Sequence, residues 1–283
     1  MERGKEDCHI HMVLDGENWK TAIKRHENGP DLPWIRGILE RYANAGYDYL
    51  RDGGDRWGVG AAARSLAGEY GIRYRTPLAP LYHKGHYGSF IGVGFENIRE
   101  YRELVCKNKE KDFVKIMISG LMDFDRFGVL TQPGLTAGEI WELVHIAHEE
   151  GYAVMAHANG AEVVRAAAEA GVDSVEHGAY LDGEALHAMA ENGTVWVPTL
   201  STIGNLRGKG RFDETAVEQI LESAMENASK FAAMGGLVAE GSDAGAWAVP
   251  HAAGTERTLL TQALGENVEE VLRRGGEKIR EKF

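Results

Sequence analysis

The chain has 283 residues, of which 43% are hydrophobic, so it is long enough to bury a large core in one domain. Its 31 Lys and Arg residues against 43 Asp and Glu residues give a net charge of −12, which argues against a nucleic-acid partner. Cys8 and Cys106 fit neither a disulfide framework nor a paired-cysteine metal motif. Because no apolar run is long enough to cross a bilayer, we expect a cytoplasmic chain with no membrane partner.

Short apolar or β-branched segments alternate with longer helical patterns along the whole chain, which is typical of βαβ units and a parallel sheet. The predicted strands are, in chain order, DCHIHM from Asp7, YDYLRDG from Tyr47, IRYRTPLAP from Ile72, FVKIMIS from Phe113, YAVMAH from Tyr152, DSVEHG from Asp173, TVWVPT from Thr194 and LVAEGSD from Leu237. The clearest helical patterns cover residues 136–150, 161–170, 182–191 and 213–234. Eight such units predict a single (β/α)8 barrel domain over residues 1–283, with an open doubly wound sheet as the alternative.

The first predicted strand carries two histidines, His9 and His11, separated by one residue. Side chains two apart on a strand point to the same side, so both imidazoles could bind one metal ion. Packing or chance remains the alternative for this pair on its own.

Three further polar residues stand where a predicted strand gives way to a small or glycine-rich loop. His157 ends strand five in MAHANG, His177 ends strand six in VEHG, and Asp243 ends strand eight in EGSDAG. In a barrel these strand ends share one rim, where active sites are built. Burying so many polar groups without partners would be costly, whereas a metal ion satisfies them together, and imidazole with carboxylate suits zinc.

Lys115 lies inside the otherwise apolar fourth strand, FVKIMIS. Its stem could pack while its amine reaches water. An ammonium beside a metal would repel it, but a neutral amine can react with carbon dioxide to give an anionic carbamate that can bridge two metals.

The order of HxH, Lys, His, His and Asp over strands one, four, five, six and eight resembles the amidohydrolase superfamily. The phrases DCHIHM, VKIMISG, MAHANG, SVEHG and GSDAG are most similar to its branch with a binuclear metal centre and a carboxylated lysine, in particular to Xaa-Pro dipeptidase and imidazolonepropionase-like members. The likeness spans almost the whole chain. Such members carry a flanking β-sandwich, for which this chain has no predicted strands outside the barrel.

The resemblance implies two divalent metal ions and a role for each residue of the pattern. His9, His11 and Asp243 would hold one ion, His157 and His177 would hold the second, and carboxylated Lys115 would bridge them. A bridging water or hydroxide would be the nucleophile, and Asp243 would be the catalytic base and then acid.

Two loop residues are candidate substrate ligands. His86, in GHYG after strand three, resembles a substrate-facing histidine of the family, and Tyr180 follows the sixth-strand histidine. Both could bind the carboxylate of a small-molecule substrate, although each could equally be an ordinary loop residue.

The sequence thus predicts a metal-dependent hydrolase that cleaves an amide bond, in a dipeptide or an N-acyl amino acid. A lactonase, a phosphotriesterase or a deaminase on the same site is one alternative, and a non-catalytic metal-binding barrel is another. A homo-oligomer is left open by the sequence.

Overall fold

The computed structural model of the chain describes residues 4–283. Over this part of the chain, strands and helices alternate as the sequence predicts. The strands are β1 (Lys5–Ile10), β2 (Tyr47–Asp52), β3 (Arg73–Arg75), β4 (Leu81–His83), β5 (Val93–Phe95), β6 (Val114–Met117), β7 (Val154–Ala158), β8 (Ser174–His177), β9 (Val195–Val197) and β10 (Leu237–Val238).

The helices cover the strands on the outside. They are α1 (Trp19–Arg25), α2 (Leu32–Asn44), α3 (Val59–Ala67), α4 (Ile98–Lys107), α5 (Ala137–Glu149), α6 (Ala161–Glu169), α7 (Gly183–Glu191), α8 (Ser201–Gly204), α9 (Glu214–Ala233), α10 (Thr255–Leu264) and α11 (Val268–Lys282). The four clearest helical patterns of the sequence are α5, α6, α7 and α9, and these predictions are confirmed within one or two residues. Thr136 and Glu139 form a capping box at the start of α5, which satisfies backbone donors at that helix end.

All strand pairs of both sheets are parallel. One sheet has the order β1-β2-β3 and the other the order β10-β9-β8-β7-β6-β4-β5. Backbone hydrogen bonds connect the two sheets at each junction: Asp243 N donates to His9 O at 2.7 Å beside β10, and Asp112 N donates to Thr76 O at 3.0 Å between β3 and β6. The eight predicted strands therefore follow one another round a (β/α)8 barrel, as predicted.

The loop after the third barrel strand differs from the sequence prediction. Residues 81–95, which include the predicted loop residue His86, contain β4 and β5, which pair in parallel with each other, while β4 also pairs with β6. Leu81 and Phe95 in these strands are buried in the largest apolar cluster. This burial makes strand pairing favourable in a segment that looked polar and glycine-rich.

The amino-terminal end of the barrel is filled by an apolar cluster that includes Cys8, Tyr49, Phe113 and the terminal residue Phe283. The carboxyl ends of the strands lie at the other end, so the polar residues that follow them meet there. Every strand in residues 4–283 belongs to the two parallel sheets, so this part of the chain forms no separate β-sandwich. A membrane-spanning helix is likewise not found in this range.

Candidate metal centre

The six predicted ligand residues lie at or near the carboxyl ends of five barrel strands. Each of these residues is buried, and none is more than 8% exposed. His9 lies in β1 and His11 follows it, Lys115 lies in β6, His157 in β7, His177 at the end of β8, and Asp243 after β10.

His9, His11 and Asp243 form a compact three-residue group whose candidate ligand atoms all lie within 4.8 Å of one another. His11 Nε2 is 3.1 Å and His9 Nε2 is 3.4 Å from Asp243 Oδ1. The two Nε2 atoms are 3.4 Å apart. The prediction that HxH and the eighth-strand aspartate converge is therefore supported by the geometry.

His157 and His177 continue this group on one side. The His177 ring centroid is 5.1 Å from that of His9, and the His157 centroid is 4.6 Å from that of His177. His177 Nδ1 lies 2.8 Å from Thr199 Oγ1, and within residues 4–283 its Nε2 has no hydrogen-bond partner. His157 Nε2 lies 3.3 Å from Gly120 O, and no residue in the same range is hydrogen-bonded to its Nδ1.

Lys115 is buried in the barrel beside these imidazoles, and its Nζ has no hydrogen-bond partner among residues 4–283. Burial lowers the pKa of Lys115 to about 8. Burial, and next the charge of Lys115, lower the pKa of His9 to about 4 and that of His157 to about 3. Both imidazoles are therefore neutral near pH 7, the form in which histidine binds metals.

A buried network that the sequence analysis missed holds His9 in place. Glu176 Oε2 accepts a hydrogen bond from His9 Nδ1 at 2.7 Å. The other Glu176 oxygen accepts from Arg51 Nη2 at 2.8 Å and from Ser174 Oγ at 2.6 Å. Burial alone would raise the pKa of Glu176, but Arg51 and His9 lower it to about 2, so Glu176 is ionised.

The sequence does contain a signal for this network, namely one charged residue in each of two predicted barrel strands. Arg51 and Glu176 each stand in a predicted barrel strand, where a charged residue needs a partner. Asp52, at the end of β2, takes no part in this network and accepts hydrogen bonds from Met12 N at 3.2 Å and from Thr76 Oγ1 at 3.2 Å. Asp52 therefore supports the backbone after β1 and the end of β3.

The protonation states of His9 and Asp243 test whether these residues fit a metal ion. Because ionised Glu176 accepts the Nδ1 proton of His9, the Nε2 atom of this neutral imidazole carries only a lone pair. That lone pair lies 3.4 Å from Asp243 Oδ1, which is also an acceptor. Two buried acceptors that face each other are unfavourable, and a cation bound by both removes the conflict. The residues present therefore fit a divalent metal.

The backbone at this rim departs from regular strand geometry. His177 has a φ of 70° and Asp243 a φ of 58°, in the left-handed region that non-glycine residues rarely adopt. Such strain clusters at functional sites. Gly53 leaves room for the candidate ligand His11, because a Cβ atom at position 53 would collide with the His11 ring.

A cavity of about 590 Å³ opens onto the group, with His11, His177 and Asp243 among its lining residues. The two predicted substrate ligands are not among the residues that line it. The His86 ring packs against His83, at 5.3 Å between centroids, and the Tyr180 ring packs against Phe127, at 5.4 Å. Their role in binding a carboxylate stays a prediction.

Tyr87, the residue next to His86, lies beside the candidate metal centre. Tyr87 lines the cavity, and its ring centroid lies 4.8 Å from that of His157. Burial raises the pKa of Tyr87, so its phenol stays protonated. Tyr87, which the sequence analysis did not single out, therefore faces the cavity, since the direction of a loop side chain is not set by any periodicity.

Comparison with known proteins supports the same family as the sequence motifs. The chain is 27% identical over 233 residues to ochratoxinase of Aspergillus niger, an alignment that covers 71% of this chain and 48% of the relative. The chain thus spans about half the length of the curated relatives it matches.

Solved structures share its fold. A Xaa-Pro dipeptidase with bound methionine superimposes with a TM-score of 0.80 at 21% identity, covering 98% of this chain and 75% of the other. The A. niger ochratoxinase structure superimposes with a TM-score of 0.78 at 18% identity, covering 98% and 70%. A sequence model described as "Amidohydrolase family" matches residues 84–273, about two thirds of this chain. The chain therefore belongs to the amidohydrolase family.

Proposed function

We propose that this protein is a metal-dependent hydrolase that cleaves the C–N bond of a small-molecule amide, such as a dipeptide or an N-acyl amino acid. The observation that carries the proposal is the convergence of His9, His11 and Asp243, whose ligand atoms lie within 4.8 Å of one another. His11 and Asp243 also line the cavity. Family membership and the dipeptidase and ochratoxinase likenesses support amide hydrolysis over other reactions.

Two groups of side chains would hold metal, which we propose to be zinc. His9, His11 and Asp243 would bind one ion, His157 and His177 the second, and the carbamate of Lys115 would bridge them. When bound, such ions polarise the scissile carbonyl and make water a nucleophile near neutral pH.

The chain's own proton chemistry is assigned to Asp243. Its carboxylate takes a proton from the water whose oxygen adds to the amide carbon, and it returns that proton to the nitrogen as the C–N bond breaks. The products are a carboxylic acid and an amine. Glu176 fixes the His9 imidazole, so that only the Nε2 lone pair faces Asp243.

The carbamate at Lys115 is supported by the surroundings of the amine. The side chain is 1% exposed, and Nζ has no hydrogen-bond partner in residues 4–283. In the neutral form, Nζ adds to carbon dioxide and loses a proton, which forms an N–C bond and an anionic carbamate. Two histidines alone are fewer than the three protein ligands usual for a catalytic zinc, and the carbamate would supply a third to the second ion.

Lys115→Met is expected to abolish carbamate formation, because the amine is gone. Full-length protein prepared with ¹³C-bicarbonate and zinc should show a carbamate carbon signal by NMR, and the variant should lack it. Its zinc content should also fall from two ions towards one. Lys84→Met is the control, because Lys84 is exposed and pairs with Glu96. A wild-type protein that binds two ions without a carbamate signal contradicts this assignment.

The function itself is tested by turnover of a panel of dipeptides, N-acyl amino acids, lactones and phosphotriesters. We expect hydrolysis of amides in preference to the esters, loss of activity on chelation, and recovery with zinc. His11→Ala should lower the zinc content from two ions towards one and lower kcat by about 100-fold or more. His145→Ala, at an exposed histidine stacked on Trp141, should change neither. A protein that binds zinc in this centre and turns over only lactones or phosphotriesters refutes the proposal.

A further inference from the structure

The cavity above the candidate metal centre is lined by aromatic side chains that contact one another in two groups. The first aromatic wall consists of Trp19, Phe90 and Tyr87. Phe90 lies 6.1 Å from Trp19 and 5.6 Å from Tyr87, measured between ring centroids. Through Tyr87 this wall continues to the ring of His157.

The second aromatic wall consists of Phe124, Phe212 and Trp247, from the loops after the fourth, seventh and eighth barrel strands. Phe212 lies 5.2 Å from Phe124 and 6.0 Å from Trp247, again between centroids. Three loops far apart in sequence thus build one apolar surface. Ring systems of this kind favour flat aromatic ligands, which pack against them by stacked or edge-to-face contacts.

Arg211 joins the second wall and lines the same cavity. Its guanidinium carbon lies 4.3 Å from the Trp247 ring centroid and 5.2 Å from that of Phe212. No carboxylate of residues 4–283 forms a salt bridge with it, whereas Arg207 in the same loop pairs with Glu218 at 2.7 Å. A guanidinium stacked by its face keeps its N–H edge available for a carboxylate.

We propose that the cavity selects amides that carry both a flat aromatic group and a carboxylate, and that Arg211 binds this carboxylate. The inference rests on the proposed function, because it specifies the substrate of the same site. Water adds to the amide carbon and the C–N bond breaks, so the products are an acid and an amine, one bearing the aromatic group. Arg211 is a specificity-determining residue in this scheme.

The size of the cavity agrees with this substrate class. A volume of about 590 Å³ lies in the range of clefts that bury drug-sized ligands. Lys20 is the other cation of the lining, but its ammonium lacks the paired, planar N–H donors with which a guanidinium matches both oxygens of a carboxylate. Arg211 is therefore the better anchor for an anion.

Binding of a matched probe pair tests the inference separately from turnover. Dansylglycine carries a naphthalene ring and a carboxylate, and N-dansylethanolamine carries the same ring with a neutral hydroxyl in place of the carboxylate. Neither contains a carboxamide, and an amide hydrolase does not cleave their sulfonamide. Dissociation constants are measured by dansyl fluorescence with the full-length, zinc-loaded chain. We expect the carboxylate probe to bind about tenfold more tightly than the neutral one.

Arg211→Gln should remove this preference and leave binding of the neutral probe unchanged. Arg207→Gln is the matched control in the same loop and should keep the preference. Trp247→Leu should weaken both probes by about fivefold, whereas Trp141→Leu, at a tryptophan that is 53% exposed outside the cavity, should weaken neither.

Equal affinity of the wild type for the two probes overturns the inference. So does a preference that survives in Arg211→Gln, or one that is lost in Tyr180→Phe instead. Because these measurements need no catalysis, a positive result together with no amide turnover would refute the proposed function while leaving the ligand class in place. Amide turnover without a preference for the carboxylate probe would refute the ligand class alone.

Discussion

Asp243→Asn is expected to lower kcat for amide hydrolysis by a factor of about 10²–10⁴, the range in which general acid–base groups contribute. Asparagine keeps the shape of the side chain but cannot take the proton from water. It also removes the negative charge that His9 and His11 approach at 3.4 and 3.1 Å. The measurement is kcat on the best amide substrate, together with zinc content, so that loss of metal and loss of the base are told apart.

Asp31→Asn is the matched control for this change. Asp31 caps α2 by accepting a hydrogen bond from Trp34 N, and asparagine caps helices equally well. Its kcat and thermal stability should equal those of the wild type. If Asp243→Asn binds zinc normally and retains kcat within a factor of about ten, the base is elsewhere and the assigned role fails.

Glu176→Gln is expected to lower the free energy of unfolding by about 3–5 kcal/mol, because it leaves the guanidinium of Arg51 buried without a counter-ion. Both side chains of this pair are fully buried. The change also removes the acceptor that fixes the Nδ1 proton of His9, so zinc affinity should fall by about 10–100-fold. Urea unfolding of the metal-free chain and a competitive zinc titration measure the two effects separately.

A second substitution separates charge burial from metal positioning. Arg51→Met combined with Glu176→Gln removes both charges, so much of the lost stability should return while zinc affinity stays low. Glu184→Gln is the control, since Glu184 pairs with Arg165 on the surface and should contribute less than about 1 kcal/mol. Recovery of wild-type zinc affinity in the double variant would contradict the positioning role of Glu176.

Much of the barrel follows from local features of the sequence. Apolar strand segments bounded by glycine, and amphipathic helices between them, predict eight βα units, and the structure has these strands in this order. The candidate metal ligands can be identified from the sequence because parallel strands bring their carboxyl ends to one rim. A polar residue at the end of a predicted strand therefore has a predictable position. This rule places His9, Lys115, His157 and Asp243 close together without any knowledge of the contacts.

Other features depend on where residues distant in sequence meet. The contact by which Glu176 orients His9 depends on how deep both side chains lie in the barrel, which strand periodicity does not give. The cavity lining depends on loop conformations, so Tyr87 rather than its neighbour His86 lines the cavity, and Phe124 meets Phe212 only in the fold. The sequence by itself determined the architecture and the rim residues, because strand and helix periods are local. Only the tertiary structure decided the buried Arg51–Glu176 pair, the aromatic walls and the exposed edge of Arg211, because those arise from contacts between segments whose relative positions no local pattern encodes.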